Sequence, residues 1–242
     1  MPAETTQRKD ELARNLRRAE RRVAAACEAA GRPPQEVTLI AVTKTRPAAD
    51  VRLLAELGVR DVGENRDQEA APKAALCAGL PLRWHFIGQL QTNKARSVVS
   101  YADSVHSVDR LRLVDALARA VAQSDRAHRP LGCLVQVALD VQQSGGRRGG
   151  AAPEEVEEIA AAIVEAPGLR LDGLMTVAPQ DGPYMDRPRA AFERVAEIGA
   201  RLRTLHPAAT ALSAGMTGDL EAAVAAGATH VRLGGAVLGE RA

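Results

Sequence analysis

An unbroken alternation of strand-like and helix-like segments is the feature that most limits how this chain can fold. Apolar runs rich in β-branched residues are separated by segments whose apolar residues recur every three or four positions. Eight runs are strand-like: 37–44, 60–64, 83–88, 103–107, 131–139, 169–177, 209–213 and 230–234. Seven helix-like segments lie between them: 48–57, 66–78, 91–100, 110–126, 153–165, 188–205 and 217–226. This alternation predicts a parallel sheet whose crossover connections are helices.

The number of strands favours one parallel architecture over the other. Eight strands are typical of a closed (β/α)8 barrel of the TIM type, whereas the runner-up, an open Rossmann-like sheet, lacks a Gly-x-Gly-x-x-Gly motif after the first strand. The segment from about 4 to 30 predicts an extra N-terminal helix that ends at Gly31. No linker divides the chain, so we expect one domain whose barrel covers about 37–239.

Composition excludes several classes of partner. The 242 residues include 32 basic and 30 acidic residues, and this balance argues against nucleic-acid and membrane partners. Aromatic residues make up only 2%, so stacking platforms for single-stranded nucleic acid are not expected. Three widely spaced cysteines, with no signal peptide and no membrane-spanning stretch, predict a cytoplasmic protein with free thiols. No histidine pair has metal-ligand spacing, so no metal site is predicted.

The first strand-like run ends at Lys44, where a barrel keeps its reactive groups. Partial burial lowers the pKa of a lysine because it disfavours the charged form. A neutral amine can then form a Schiff base with an aldehyde. A lone lysine at a strand end is more often a snorkelling side chain, so the interpretation depends on the other strand ends.

The ends of the seventh and eighth strands predict a phosphate site. Ser213, Gly215 and Thr217 follow the seventh strand, and Gly234 and Gly235 follow the eighth. Barrels commonly bind phosphate on these two loops, where hydroxyls and closely approaching backbone N–H groups contact the anion. Each glycine alone is better explained by a tight turn, but the cluster favours binding.

Arg232 lies inside an apolar strand and is predicted to point into the barrel or its mouth. A buried arginine stays charged and needs a partner. Two interpretations are open: a core ion pair with Glu64 or Asp172, or a contact with a ligand's ring nitrogen or phosphate. His85 and His106 are weaker candidates, and a hydrogen-bonded core role is favoured for each.

A lysine on strand one, a phosphate nest and an arginine on strand eight together suggest pyridoxal 5′-phosphate (PLP). At this point the chain resembles the pyridoxal phosphate homeostasis proteins, which are single-domain relatives of the barrel domain of alanine racemase. The long Trp84–Lys94 motif is highly specific to that family. The matching segments span nearly the whole chain: Leu39–Thr45, Val62–Asn65, Trp84–Lys94, Gly173–Thr176, Leu212–Thr217 and Val231–Gly235.

The resemblance implies a role for each matching residue. Lys44 would form the internal aldimine with PLP, and Arg232 would lie near the pyridine nitrogen. The remaining positions are Ser213, Thr217, Gly234 and Gly235 in the phosphate cradle, and Asn65 and His85 on the cofactor face.

The sequence also departs from the family pattern. Arg66 stands where the family often has tyrosine, and Gly235 stands where it often has threonine or serine, which leaves a backbone contact only. The loop at 145–150 reads Arg148-Gly149-Gly150 where the family usually carries a Lys-x-Gly pattern.

We therefore predict a cytoplasmic, monomeric PLP-binding protein that takes part in vitamin B6 and amino-acid homeostasis without robust catalysis, with PLP-dependent apo-enzymes as partners. The alternative is a PLP-dependent amino-acid racemase. The resemblance implies that a racemase needs a tyrosine as its second base, and this chain offers only Tyr101 and Tyr184. A third class, a phosphate-sugar or nucleotide barrel enzyme, gives Lys44 and Arg232 no joint role.

Overall fold

A computed structural model describes residues 2–126, 129–140 and 149–239, so the predicted loop at 145–150 lies mostly outside the described residues. Eight parallel strands form a closed barrel in sequence order, with the last strand paired to the first. The predicted (β/α)8 fold is confirmed. The strands are β1 Thr38–Val42, β2 Asp61–Glu64, β3 Arg83–Phe86, β4 Ser104–Val108, β5 Leu131–Gln136, β6 Leu169–Met175, β7 Ala211–Ser213 and β8 His230–Leu233.

Helices follow the strands and cover the outside of the barrel. Trp84, which alternates with His85 on β3, belongs to the apolar layer between the barrel and its helices. The helices are α1 Pro2–Ala29, α2 Ala48–Glu56, α3 Asp67–Leu76, α4 Ala95–Tyr101, α5 Leu111–Ala122, α6 Val156–Glu165, α7 Pro188–Leu205, α8 Leu220–Ala225 and α9 Gly235–Leu238.

Helix α1 confirms the predicted extra N-terminal helix and packs against α2, α8 and α9. Its buried face is apolar and includes Leu12 and Leu16. Arg22 forms an ion pair with Glu221 at 2.7 Å and donates a hydrogen bond to the backbone oxygen of Thr217 at 2.7 Å. The helix therefore braces the loop that follows β7.

Some strands and helices end at other residues than predicted, because backbone hydrogen bonding, and not hydrophobicity, determines where an element ends. Strand β1 ends at Val42, so Lys44 lies in the turn that follows. The predicted helix at 91–100 starts as a 3-10 turn, Thr92–Lys94, before α4. The short helix α9 was not predicted, because four residues are too few for a periodic pattern.

All three cysteines are free and buried. Across the described part of the chain, no helix is both long and apolar enough to cross a bilayer. The same residues contain no cluster of three or more histidine, cysteine or acidic side chains that could hold a metal ion.

Candidate cofactor site

Lys44 lies two residues beyond β1, at the carboxyl-terminal end of the barrel, and is half-buried. Its ammonium group makes no hydrogen bond or ion pair with any described residue. The terminal amine is therefore not engaged by the described protein groups, as a residue that is to react with a ligand requires.

A buried ion pair fixes the backbone just before Lys44. The Lys73 ammonium, on α3, donates hydrogen bonds to Glu64 Oε1 at 2.5 Å and to the backbone oxygen of Thr43 at 2.8 Å. The Thr43 hydroxyl donates to the same Glu64 oxygen at 2.6 Å. Because all three side chains are buried, these bonds join β1, β2 and α3 in a low-dielectric environment.

A second contact from α3 fixes the backbone just after Lys44. Thr45 has a φ of 63°, in the left-handed region that non-glycine residues rarely adopt. Its N–H donates to Glu69 Oε2 at 3.0 Å, and Glu69 lies one helical turn before Lys73. Helix α3 thus holds the turn on both sides of Lys44.

Arg232 is 4% exposed and lies on β8, the strand paired with β1. Its guanidinium donates hydrogen bonds to Ser213 Oγ at 2.7 Å and to the backbone oxygen of Thr176 at 2.8 Å. It makes no ion pair with a described carboxylate. Burial lowers the pKa of Arg232 to about 10, with Asp219 opposing the shift.

The two ion-pair partners that the sequence offered for Arg232 are engaged elsewhere. Glu64 pairs with Lys73, and Asp172 pairs with Arg170 at 2.5 Å. The core ion pair is therefore absent among the described residues. The buried guanidinium keeps further N–H donors that a ligand atom can accept.

Both nitrogens of His85 are engaged by protein groups inside the barrel. Nε2 lies 2.8 Å from Asp61 Oδ1, and Nδ1 lies 3.0 Å from Nε2 of His106. His106 Nδ1 lies 2.9 Å from Ser213 Oγ. Both histidines are thus hydrogen-bonded core groups, as the strand pattern favoured, and the role of His85 on the cofactor face stays a prediction.

The pKa values in this cluster reflect burial and its hydrogen bonds. Burial, with the neighbouring charges of His85, His230 and Arg232, lowers the pKa of His106 well below its ordinary value. Burial alone would raise the pKa of Asp61, but hydrogen bonds from His85 and Arg83 outweigh it and lower that pKa to about 2. Near neutral pH, His106 is therefore neutral and Asp61 is ionised.

The predicted phosphate loops lie side by side, since β7 and β8 are paired. Thr217 and Gly235 are exposed, and Gly234 is half-buried. A Cβ atom added to Gly235 would meet no atom within 4 Å, so the space above this residue is open. Gly215 differs, because its φ is 91° and a Cβ atom added to it would lie 2.6 Å from the Ala223 Cβ, so the fold requires glycine at this position.

Asn65 is half-buried just after β2 and lies against Gly88, in the part of the Trp84–Lys94 motif that follows β3. A Cβ atom added to Gly88 would lie 2.1 Å from the Asn65 backbone oxygen. Glycine at position 88 thus allows the loops after β2 and β3 to approach each other, which explains one residue of the motif.

The structure brings Lys44, Arg232 and the loops after β7 and β8 to one end of the barrel, and this arrangement fits PLP. Lys44 offers an amine without a described protein partner, Arg232 offers buried donors without a carboxylate, and the space above Gly235 is open. Sequence reasoning missed Lys73 and Asp61. The available signal for Asp61 was its place two residues before Gly63 on the same barrel strand, because residues at this spacing face the same side of the strand.

Comparisons with known proteins show which family this chain is similar to. A family model for the alanine racemase N-terminal domain matches residues 9–242. The pyridoxal phosphate homeostasis protein of Mycobacterium tuberculosis H37Rv is 44% identical over 97% of this chain and 94% of its own length. The protein of the same name from Pseudomonas aeruginosa is 43% identical, over 95% and 96%. PipY of Synechococcus elongatus PCC7942, solved with PLP bound, is 33% identical with a TM-score of 0.76, over 94% of this chain and all of PipY.

Proposed function

Because the chain belongs to the pyridoxal phosphate homeostasis protein family, we propose that it binds PLP and takes part in keeping the intracellular supply of this cofactor. The observation that carries the proposal is the pairing of β1 with β8. This pairing sets the turn that holds Lys44 beside the strand that holds Arg232, a buried guanidinium without a described carboxylate partner.

Three parts of the site have separate tasks in this proposal. PLP supplies an aldehyde that forms a Schiff base and a pyridine ring that withdraws electrons. Lys44 is the amine that joins the aldehyde, and Arg232 donates a hydrogen bond toward the ring nitrogen. Thr217, Gly234 and Gly235 hold the phosphate through one hydroxyl and backbone N–H groups.

The test of the proposed function is a spectrum of the protein purified from cells. We expect a visible absorption band that borohydride removes, since reduction converts the Schiff base into a secondary amine. A protein that shows no such band, and gains none when it is incubated with PLP, would contradict the proposal.

Thr217→Ala is expected to weaken PLP binding by about one to two decades. The substitution removes a hydrogen bond to a charged acceptor, which contributes about 1.5–3 kcal/mol. Pyridoxal lacks the phosphate, so its weaker binding should be nearly unchanged. Fluorescence titration with both compounds measures the difference.

Thr210→Ala is the matched control, because Thr210 is an exposed threonine just before β7, at the opposite end of that strand. It should leave both affinities unchanged. An equal loss for PLP and pyridoxal in Thr217→Ala would show that this hydroxyl does not contact phosphate.

The racemase alternative has only one weak candidate for its second base, Tyr184. Two-base racemisation needs an acid or base on each face of the cofactor. Tyr101, on the outer helix α4, contacts Asp67 and Trp84, and burial raises the pKa of its hydroxyl far above the ordinary value. Tyr184 lies on a short 3-10 turn after β6. The charge of Arg232 also disfavours protonation of a ring nitrogen beside it, which weakens the ring as an electron sink.

We therefore expect solvent-deuterium exchange at the α-carbon of amino acids to be far slower than ordinary enzyme turnover. The measurement is proton NMR of a panel of amino acids incubated with the PLP-loaded protein in D₂O. Exchange at about 1–10³ s⁻¹ on any of them would instead support the racemase.

We further propose that the protein acts as a monomer in the cytoplasm and passes PLP to apo-enzymes. Its three buried free cysteines are compatible with a reducing compartment. Vitamer and amino-acid profiles of a deletion strain, rescued by the wild-type protein and by Lys44→Ala, would show whether homeostasis requires the bound cofactor. Equal rescue by both would contradict this part of the proposal.

A further inference from the structure

A continuous chain of buried hydrogen bonds crosses the barrel interior from Arg232 to Asp61. It runs from Arg232 to Ser213 at 2.7 Å, to His106 at 2.9 Å, to His85 at 3.0 Å and to Asp61 at 2.8 Å. The strands involved are β8, β7, β4, β3 and β2. The five side chains are each less than 9% exposed, so water cannot easily replace any one of these bonds.

The chemistry of the two ends fixes the direction of the first and the last bond in this hydrogen-bond chain. Arg232 can only donate, so Ser213 Oγ accepts from it. The ionised carboxylate of Asp61 can only accept, so His85 donates to it from Nε2. We consider the arrangement in which His106 donates from Nε2 to His85 Nδ1 and accepts a hydrogen bond from the Ser213 hydroxyl at Nδ1.

We propose that His106 is a positioning residue for the cofactor site: acting through Ser213, it orients the Arg232 guanidinium that faces the pyridine ring. This inference rests on the proposed PLP function for the role of Arg232, whereas the hydrogen-bond chain exists without the cofactor. In this arrangement the Ser213 hydroxyl donates its hydrogen bond to His106 Nδ1. Ser213 therefore acts at the ring end of the site, and not as a hydroxyl donor to phosphate.

The proposal makes a direct prediction for the protein without cofactor. Long-range proton–nitrogen NMR at neutral pH should show His106 as a neutral ring with its proton on Nε2. The Arg232 N–H signals should be protected from exchange with water in the wild type and lose that protection in His106→Leu. A proton on Nδ1 of His106 would overturn the proposed direction.

Binding measurements then test the link to the cofactor. His106→Leu and Ser213→Ala should each weaken PLP and pyridoxal by the same factor, about tenfold, because both compounds carry the ring. His106→Asn keeps an acceptor oxygen for Ser213 and should recover part of the loss. Loss of PLP affinity alone in Ser213→Ala would overturn the proposal and place this hydroxyl on the phosphate.

His230→Gln is the matched control. His230 is a neighbouring histidine, with its ring centre 6.3 Å from that of His106, but its hydrogen bond goes to Thr229 at 2.8 Å and not into the chain. This variant should leave the Arg232 signals and both affinities unchanged. An effect as large as that of His106→Leu would show that packing alone is responsible, and would overturn the positioning role of His106. The NMR experiment uses the protein without PLP, so its failure is distinguishable from a failure of the proposed function.

Discussion

Lys44→Ala is expected to abolish the reducible PLP adduct completely. A Schiff base needs a primary amine, and no neighbouring group can replace the one that this substitution removes. Folding should survive, because Lys44 is half-buried in a turn and its ammonium makes no hydrogen bond or ion pair with described groups. Borohydride reduction followed by peptide mass spectrometry should find the pyridoxyl group on Lys44 in the wild type and on no peptide in the variant.

The chain allows a complete control for this experiment, because it contains only four lysines. Lys9 is paired with Glu56 on the surface, and Lys73 is buried against Glu64. Lys94 is the matched control, since it is also half-buried and lies in the short 3-10 turn between β3 and α4. Lys94→Ala should keep the full adduct, and an adduct that persists in Lys44→Ala would remove Lys44 from its proposed role.

The sequence was sufficient to predict the barrel and the end of it that carries the site. Strand-like runs alternate with helical ones, and in a barrel the carboxyl ends of all strands meet at one face. Lys44 and the glycines after β8 could therefore be placed near one another although they lie almost two hundred positions apart in the chain. The position of Lys44 beyond the last strand residue could not be predicted, because Thr43 is as β-prone as the strand itself.

The partners of buried polar residues were harder to predict than their positions. Arg232 was expected inside the barrel, but Glu64 was a candidate partner only until the structure placed Lys73 beside it. From the sequence, Lys73 is expected to be a surface residue of a helical segment. Periodicity predicts the helix but does not predict which of its turns packs against which strand end. The hydrogen bonds that link His85 and His106 were equally hard to predict, because they depend on how side chains pack between different strands of the barrel.

Lys73→Met is expected to destabilise the protein by about 3–5 kcal/mol, because it leaves the Glu64 carboxylate buried without its cation. The loss is a large part of an ordinary domain's free energy of unfolding. Glu64 Oε2 already has no hydrogen-bond partner among the described residues, so the carboxylate has little other compensation. Guanidinium chloride unfolding at neutral pH measures the change, and Lys94→Met is the control, with an expected change within about 0.5 kcal/mol.

Adding Glu64→Gln to Lys73→Met separates the charge from the packing. The amide removes the stranded charge while its oxygen can still accept from Thr43, so most of the lost free energy should return. Lys73→Met should also weaken PLP binding, because the Thr43 backbone oxygen loses the Lys73 ammonium that fixes the turn before Lys44. The double variant still lacks this ammonium, so its PLP affinity should stay low. Recovery of both quantities would show that the ion pair stabilises the fold only. Recovery of stability alone would show that α3 also orients the turn in which Lys44 meets its cofactor.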